Sequence, residues 1–138
     1  MIKKLDHLAI AVESLEKAGP LFAAILGTPM HGKEIVVEQG VRVGFFQIGE
    51  SHIELLEPSD PSSPVGKYLQ KRGPCLHHVS LEVQGLDRML EELRARGIKL
   101  INDEPRLGAG NRRIAFIHPS SAGGVLFELA EQSASEET

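Results

Sequence analysis

Apolar and polar residues alternate from about residue 4 to 12, where Leu8, Ile10 and Val12 share a parity, and this period of two predicts a half-buried strand. A helix is predicted over about 14–26, with Ser14 placed to cap it and Gly27 to stop it; Pro20 is expected to break or kink it. Three strands follow, at roughly 33–38, 41–48 and 51–57. After a turn-rich stretch, a short helix is expected around Val65–Lys71. The order then repeats: a strand at about 76–83, a helix at about 86–96, and strands at roughly 98–102, 111–117 and 124–130. In that second long helix Leu86, Met89, Leu90 and Leu93 keep the i, i+3, i+4, i+7 spacing of one buried face, and Gly97 ends it.

The repetition extends to individual residues. Leu5-Asp6-His7-Leu8-Ala9-Ile10-Ala11-Val12 aligns with Leu76-His77-His78-Val79-Ser80-Leu81-Glu82-Val83 at an offset of 71, which also pairs Leu15 with Leu86 and Phe45 with Phe116. Three residues further out of step, Ile53-Glu54-Leu55 matches Phe127-Glu128-Leu129. The expected fold is α+β: two tandem βαβββ modules (about 4–57 and 76–130) joined by a linker, 58–75, within a single domain of residues 1–138, with a frayed tail at 132–138. A module of about 65 residues with one helix is too small to bury a core alone, so the halves are expected to form one cupped mixed sheet with helices on its outer face. Strand parity puts Leu8, Ile10, Val12, Ile53 and Leu55 under the first helix, and Val79, Leu81, Val83, Phe127 and Leu129 under the second. His7, Glu54, His78 and Glu128 are left on the opposite face.

Composition narrows the chemistry. The balance of 15 basic and 19 acidic residues gives a formal charge of −4, and aromatic residues make up only 4%, which disfavours nucleic acid as a partner. No apolar run reaches the roughly 18 residues needed to span a bilayer, and the N-terminal stretch meets acidic residues too early for a signal peptide. The single cysteine, Cys75, rules out an intrachain disulfide, and a cytoplasmic setting is expected. Two imidazoles and two carboxylates gathered on one face are costly unless their charge is compensated, and a divalent cation does this. Nitrogen and oxygen donors without thiolate suit several ions alike.

These motifs resemble the vicinal oxygen chelate superfamily and, within it, the methylmalonyl-CoA epimerase family. The resemblance rests on LDHLAIAV, EQGVRVGFFQIG, HIELLEP, SPVGKYLQKRG, LHHVSLEV, INDEPRLGAGNRRIAFIHP and GGVLFEL, which cover most of the chain from Leu5 to Leu129. It implies a cupped sheet around one divalent metal ion (Co, Zn, Mn, Ni or Mg) with His7, Glu54, His78 and Glu128 as ligands. It also implies an acyl-CoA substrate, a homodimer, and a 1,1-proton transfer at C2 of methylmalonyl-CoA. The nearest alternative on the same scaffold is a glyoxalase I-like lyase acting on a glutathione hemithioacetal. An extradiol dioxygenase needs only two histidines and one carboxylate, and a bleomycin-resistance type of binding protein needs no such set.

One departure bears on mechanism. Some family members carry a glutamate three residues after the glycine of the EQG motif and have Gln as the second metal ligand. Here Gly40 is followed by Val41, Arg42 and Val43, and the second ligand is Glu54. The expectation is therefore that Glu54 and Glu128 serve both as ligands and as acid/base groups. Gln39 and Arg112 are weaker substrate-contact candidates, with Arg106 and Arg113 as further cations. His52 shares the parity of Glu54 but ranks below it, because its repeat counterpart is Leu126. His77 and His118 are read as structural, Gly108-Ala109-Gly110 lacks the Lys-Ser/Thr of a P-loop, and Cys75 has no evident base.

Overall fold

The computed structural model describes residues 1–132. Its elements are β1 (Ile2–Ala11), α1 (Leu15–Leu26), β2 (His31–Val36), β3 (Val41–Ile48), β4 (Ser51–Pro58), α2 (Pro64–Arg72), β5 (Cys75–Val83), α3 (Leu86–Ala95), β6 (Arg106–Leu107), β7 (Arg113–Ile117) and β8 (Phe127–Glu131). Most of the expected tail, 133–138, lies outside the described residues. The chain divides into two compact units, one running from His7 to His77 and the other joining Met1–Asp6 to the chain from His78 onward.

In the first unit β1 runs parallel to β4, with Leu8 opposite Ile53 and Ile10 opposite Leu55, while β4–β3 and β3–β2 are antiparallel. Val12, Leu15, Phe46 and Leu55 form its buried cluster, with Ile10, Ala18, Phe22, Met30 and Ile53 against it. Of the expected helix-facing set, Ile10, Val12, Ile53 and Leu55 lie there, alternate residues along β1 and β4, whereas Leu8, nearer the start of β1, is not among them. Gly44 on β3 has no room for a side chain because Met30 occupies the space: an added Cβ would collide with its sulfur. The helix α1 runs unbroken through Pro20. The ring removes one hydrogen bond, to the Glu16 carbonyl, but Glu16 and Pro20 both lie on the exposed side, where water takes over.

The second unit repeats the plan. Strand β5 is parallel to β8, with Val79 opposite Phe127 and Leu81 opposite Leu129; β8–β7 and β7–β6 are antiparallel. Val83, Leu86, Leu90, Ala115 and Leu129 pack under α3, joined by Leu81, Met89 and Leu93. The first residues of the chain belong to this unit: Met1 and Gln84 exchange backbone hydrogen bonds of 2.8 and 2.9 Å. The strand expected at 98–102 is reduced to one bridge between Leu100 and Ile117. A ladder does begin there, with His118 N–H donating to Lys99 and Ile101 N–H to Phe116. It is interrupted by Asn102-Asp103-Glu104-Pro105, three turn-favouring or charged residues and one without an N–H, and resumes as β6.

Each unit also ties its helix to its sheet by the same device. The Leu15 N–H donates to Glu57 Oε1 (3.0 Å) and Arg42 donates to Glu57 Oε2 (2.9 Å). In the second unit Leu86 N–H donates to Glu131 Oε2 (2.8 Å) and Arg113 to Glu131 Oε1 (3.0 Å). A carboxylate at a helix N-terminus satisfies a free N–H and complements the helix dipole. Arg42 and Arg113 stand 71 apart, as Leu15 and Leu86 do.

Candidate active site

Parity along two parallel strands builds the first unit's donor set. Ile53 and Leu55 point under α1, so Glu54 between them points the other way, and the register places it opposite Ala9, two residues after His7. His7 and Glu54 are buried, 2% and 4% exposed. His7 Nδ1 lies 3.0 Å from Glu54 Oε2, and His52 Nε2 lies 2.7 Å from the same oxygen. The donor atoms of His7, His52 and Glu54 fall within 4.8 Å of one another. Burial alone would raise the Glu54 pKa, but hydrogen bonds from His52 and His7, together with their charges, bring it down to about 2. Glu54 is a carboxylate at neutral pH.

The second unit presents His78 and Glu128, 5% and 6% exposed, from β5 and β8. His78 Nε2 is 3.7 Å from Glu128 Oε2, and the Ser80 hydroxyl donates to Glu128 Oε1 at 2.7 Å. The ring of Phe116 meets His78 edge-on at 5.4 Å. The two halves thus repeat a His–Glu pair but differ around it. Leu126 stands where the repeat would put His52's counterpart, and Ala9 where it would put that of Ser80.

The remaining candidates separate clearly. Gln39, itself half-buried, ends an otherwise exposed turn, Val37–Gln39, before Gly40. Arg112 makes a two-pronged pair with buried Asp6, at 2.9 and 2.5 Å, and comes to 3.9 Å from Glu82. Arg113 holds Asp87 and Glu131. His77 meets Tyr68 edge-on at 4.8 Å, and burial lowers its pKa to about 4. His118 accepts a hydrogen bond from Ser120 N–H, the structural part expected of it. Val43 pairs with Leu56, and Phe45 with Glu54, so position 43 lies on the Glu54 face and carries an apolar side chain there. The residues that sequence reasoning undervalued are His52, Ser80 and Asp6. Shared parity was the signal for two of them, His52 with Glu54 and Ser80 with His78; Asp6 gave none.

Each unit's donor pair suits a divalent cation. It offers only imidazole nitrogen and carboxylate oxygen, both of its residues are buried, and in the first unit the carboxylate is held ionised in a place where charge needs a partner.

The model of the Glyoxalase/Bleomycin resistance protein/Dioxygenase superfamily matches residues 6–116, a span that takes in His7, Glu54 and His78. A methylmalonyl-CoA epimerase structure from Mycobacterium tuberculosis superposes with a TM-score of 0.92 at 38% identity, covering 99% of this chain and 92% of that one. A structure of methylmalonyl-CoA epimerase in complex with methylmalonyl-CoA and NH4+ gives 0.92 at 34% identity, covering 97% of each. The mitochondrial methylmalonyl-CoA epimerase of Homo sapiens is 36% identical over 129 residues, 93% of this chain and 73% of that protein. The chain belongs to the methylmalonyl-CoA epimerase family of that superfamily.

Proposed function

We propose that this protein interconverts the R and S epimers of methylmalonyl-CoA by proton transfer at C2, with His7, Glu54, His78 and Glu128 holding one divalent metal ion. The observation that carries the reading is the duplicated, buried His–Glu pair on matched strands. The C2 proton lies between a thioester and a carboxylate, so its removal leaves an enolate. When bound, the ion would supply Lewis-acid stabilisation of the charge that develops on the thioester oxygen. One glutamate takes the C2 proton and the C–H electron pair passes into the enolate; the other, in its protonated form, returns a proton to the opposite face and restores the C–H bond. With valine at position 43, Glu54 and Glu128 are the pair on which this exchange rests. Ser80 fixes one oxygen of Glu128, leaving the orientation of that carboxylate defined.

Exchange of the C2 proton in deuterated solvent tests the proposal. It is expected with methylmalonyl-CoA, is lost on chelator treatment, and returns with added metal; metal analysis of protein purified without chelator identifies the ion. Turnover of a glutathione hemithioacetal instead would transfer the assignment to a glyoxalase I-like lyase. Glu54→Gln that still binds metal is expected to lose at least about 100-fold in exchange; unchanged exchange from both epimers would remove Glu54 from proton transfer. No helix among the described residues is long and apolar enough to cross a membrane. A cytoplasmic homodimer is the setting we infer, supported by the single cysteine and the modest core of one chain; size-exclusion chromatography with light scattering tests the dimer.

A further inference from the structure

We infer that His52 is a positioning residue for Glu54, fixing that carboxylate for metal capture and for proton transfer on one face of the substrate only. The inference rests on the function proposed above and adds a residue to it. A carboxylate turns readily about its last carbon–carbon bond, so a ligand that must also move protons needs one oxygen held. His52 stands two residues before Glu54 on β4, on the same face, with Nε2 2.7 Å from Oε2. Its own ring is kept in place on two sides: the His7 ring lies 4.9 Å away, tilted by 30°, and the Phe45 ring 5.9 Å away. The other oxygen of Glu54, Oε1, makes neither of these contacts.

The second unit holds its glutamate by other means. There the hydroxyl comes from Ser80, opposite Glu128 on the neighbouring strand, and the position matching His52 is Leu126, which has no hydrogen to donate. A change at position 52 therefore acts on Glu54 and leaves the hold on Glu128 intact. Hydrogen bonds that orient metal-ligating side chains commonly contribute about 10–100-fold to affinity.

The test compares His52→Leu, His52→Asn and His52→Gln with the unaltered protein. Metal affinity is read by competition with a fluorescent chelator, and the deuterium isotope effect at C2 is measured starting from each epimer. A Gln side chain can place an N–H where Nε2 stands; Leu has none, and the Asn amide stops short. Affinity is expected to fall about 10–100-fold in His52→Leu and His52→Asn and to return to within about threefold in His52→Gln. The isotope effect should grow for the epimer that Glu54 deprotonates and shrink for the other. Unchanged affinity and isotope effects in His52→Asn, or an equal loss in Asn and Gln, overturns the inference. If His52→Leu does not fold, the Asn–Gln contrast decides alone. Failure of the underlying function is separately visible, because then the unaltered protein shows no chelator-sensitive exchange and His7→Ala leaves metal affinity intact.

Discussion

Burial draws the His77 pKa from 6.5 down to about 4, so the imidazole that meets Tyr68 is neutral where the unfolded chain would already be taking up a proton. The unfolded state binds more protons across this window, and stability must therefore rise with pH through it. The contribution is complete above pH 6.5 and is lost as pH falls toward 4, at a linkage of about 3 kcal/mol. His77→Phe, which keeps an aromatic edge for Tyr68, should lose less stability between those pH values in urea titrations than the unaltered protein. Its neighbour His78 has the opposite parity, and this alternation was legible from sequence, as were both His–Glu pairs. His52 was harder to value for a definite reason. Self-similarity marks only residues that recur, and a residue present in one copy but not the other carries no such signal. Ser80, opposite Ala9 in the repeat, escaped for the same reason.

At the level of elements, the carboxylates of Glu57 and Glu131 do the same task with different backing. Helix α1 has a second cap, since the Ser14 hydroxyl accepts from Lys17 N–H at 3.3 Å. Helix α3 has Gly85 at its N-cap position, with no side chain to offer, so Glu131 takes over the capping. Glu131→Ala is therefore expected to cost about 1–2 kcal/mol, and Glu57→Ala about half as much, in chemical denaturation. The helices and the long strands β3 and β4 were readable because their periodicity is strong and their stops are glycines or turns. The strand expected at 98–102 was not, because hydrophobic pattern alone does not reveal a ladder cut short by Asn102–Pro105 and resumed at Arg106.

For the molecule as a whole, the duplication was plain in the sequence, whereas the allocation of the first residues was not. A repeat marks which residues correspond, and says nothing about which unit a terminal segment joins. Asp6 belongs with the second unit, where it engages Arg112 through both oxygens. Asp6→Asn removes the nearer carboxylate from a largely buried guanidinium, leaving Glu82 at 3.9 Å, and is expected to cost about 3 kcal/mol; Asp6→Leu combined with Arg112→Met should recover part of it, as read by urea titration.

That attachment has a consequence for how the polypeptide matures. Met1 leaves the ribosome 83 positions ahead of Gln84, and Asp6 emerges 106 ahead of Arg112. These residues therefore meet their partners only after the long stretch between them has been made. The contacts that join Met1–Asp6 to the chain from His78 onward close long loops, so they form late in folding, and a substitution that weakens them slows the assembly of that unit.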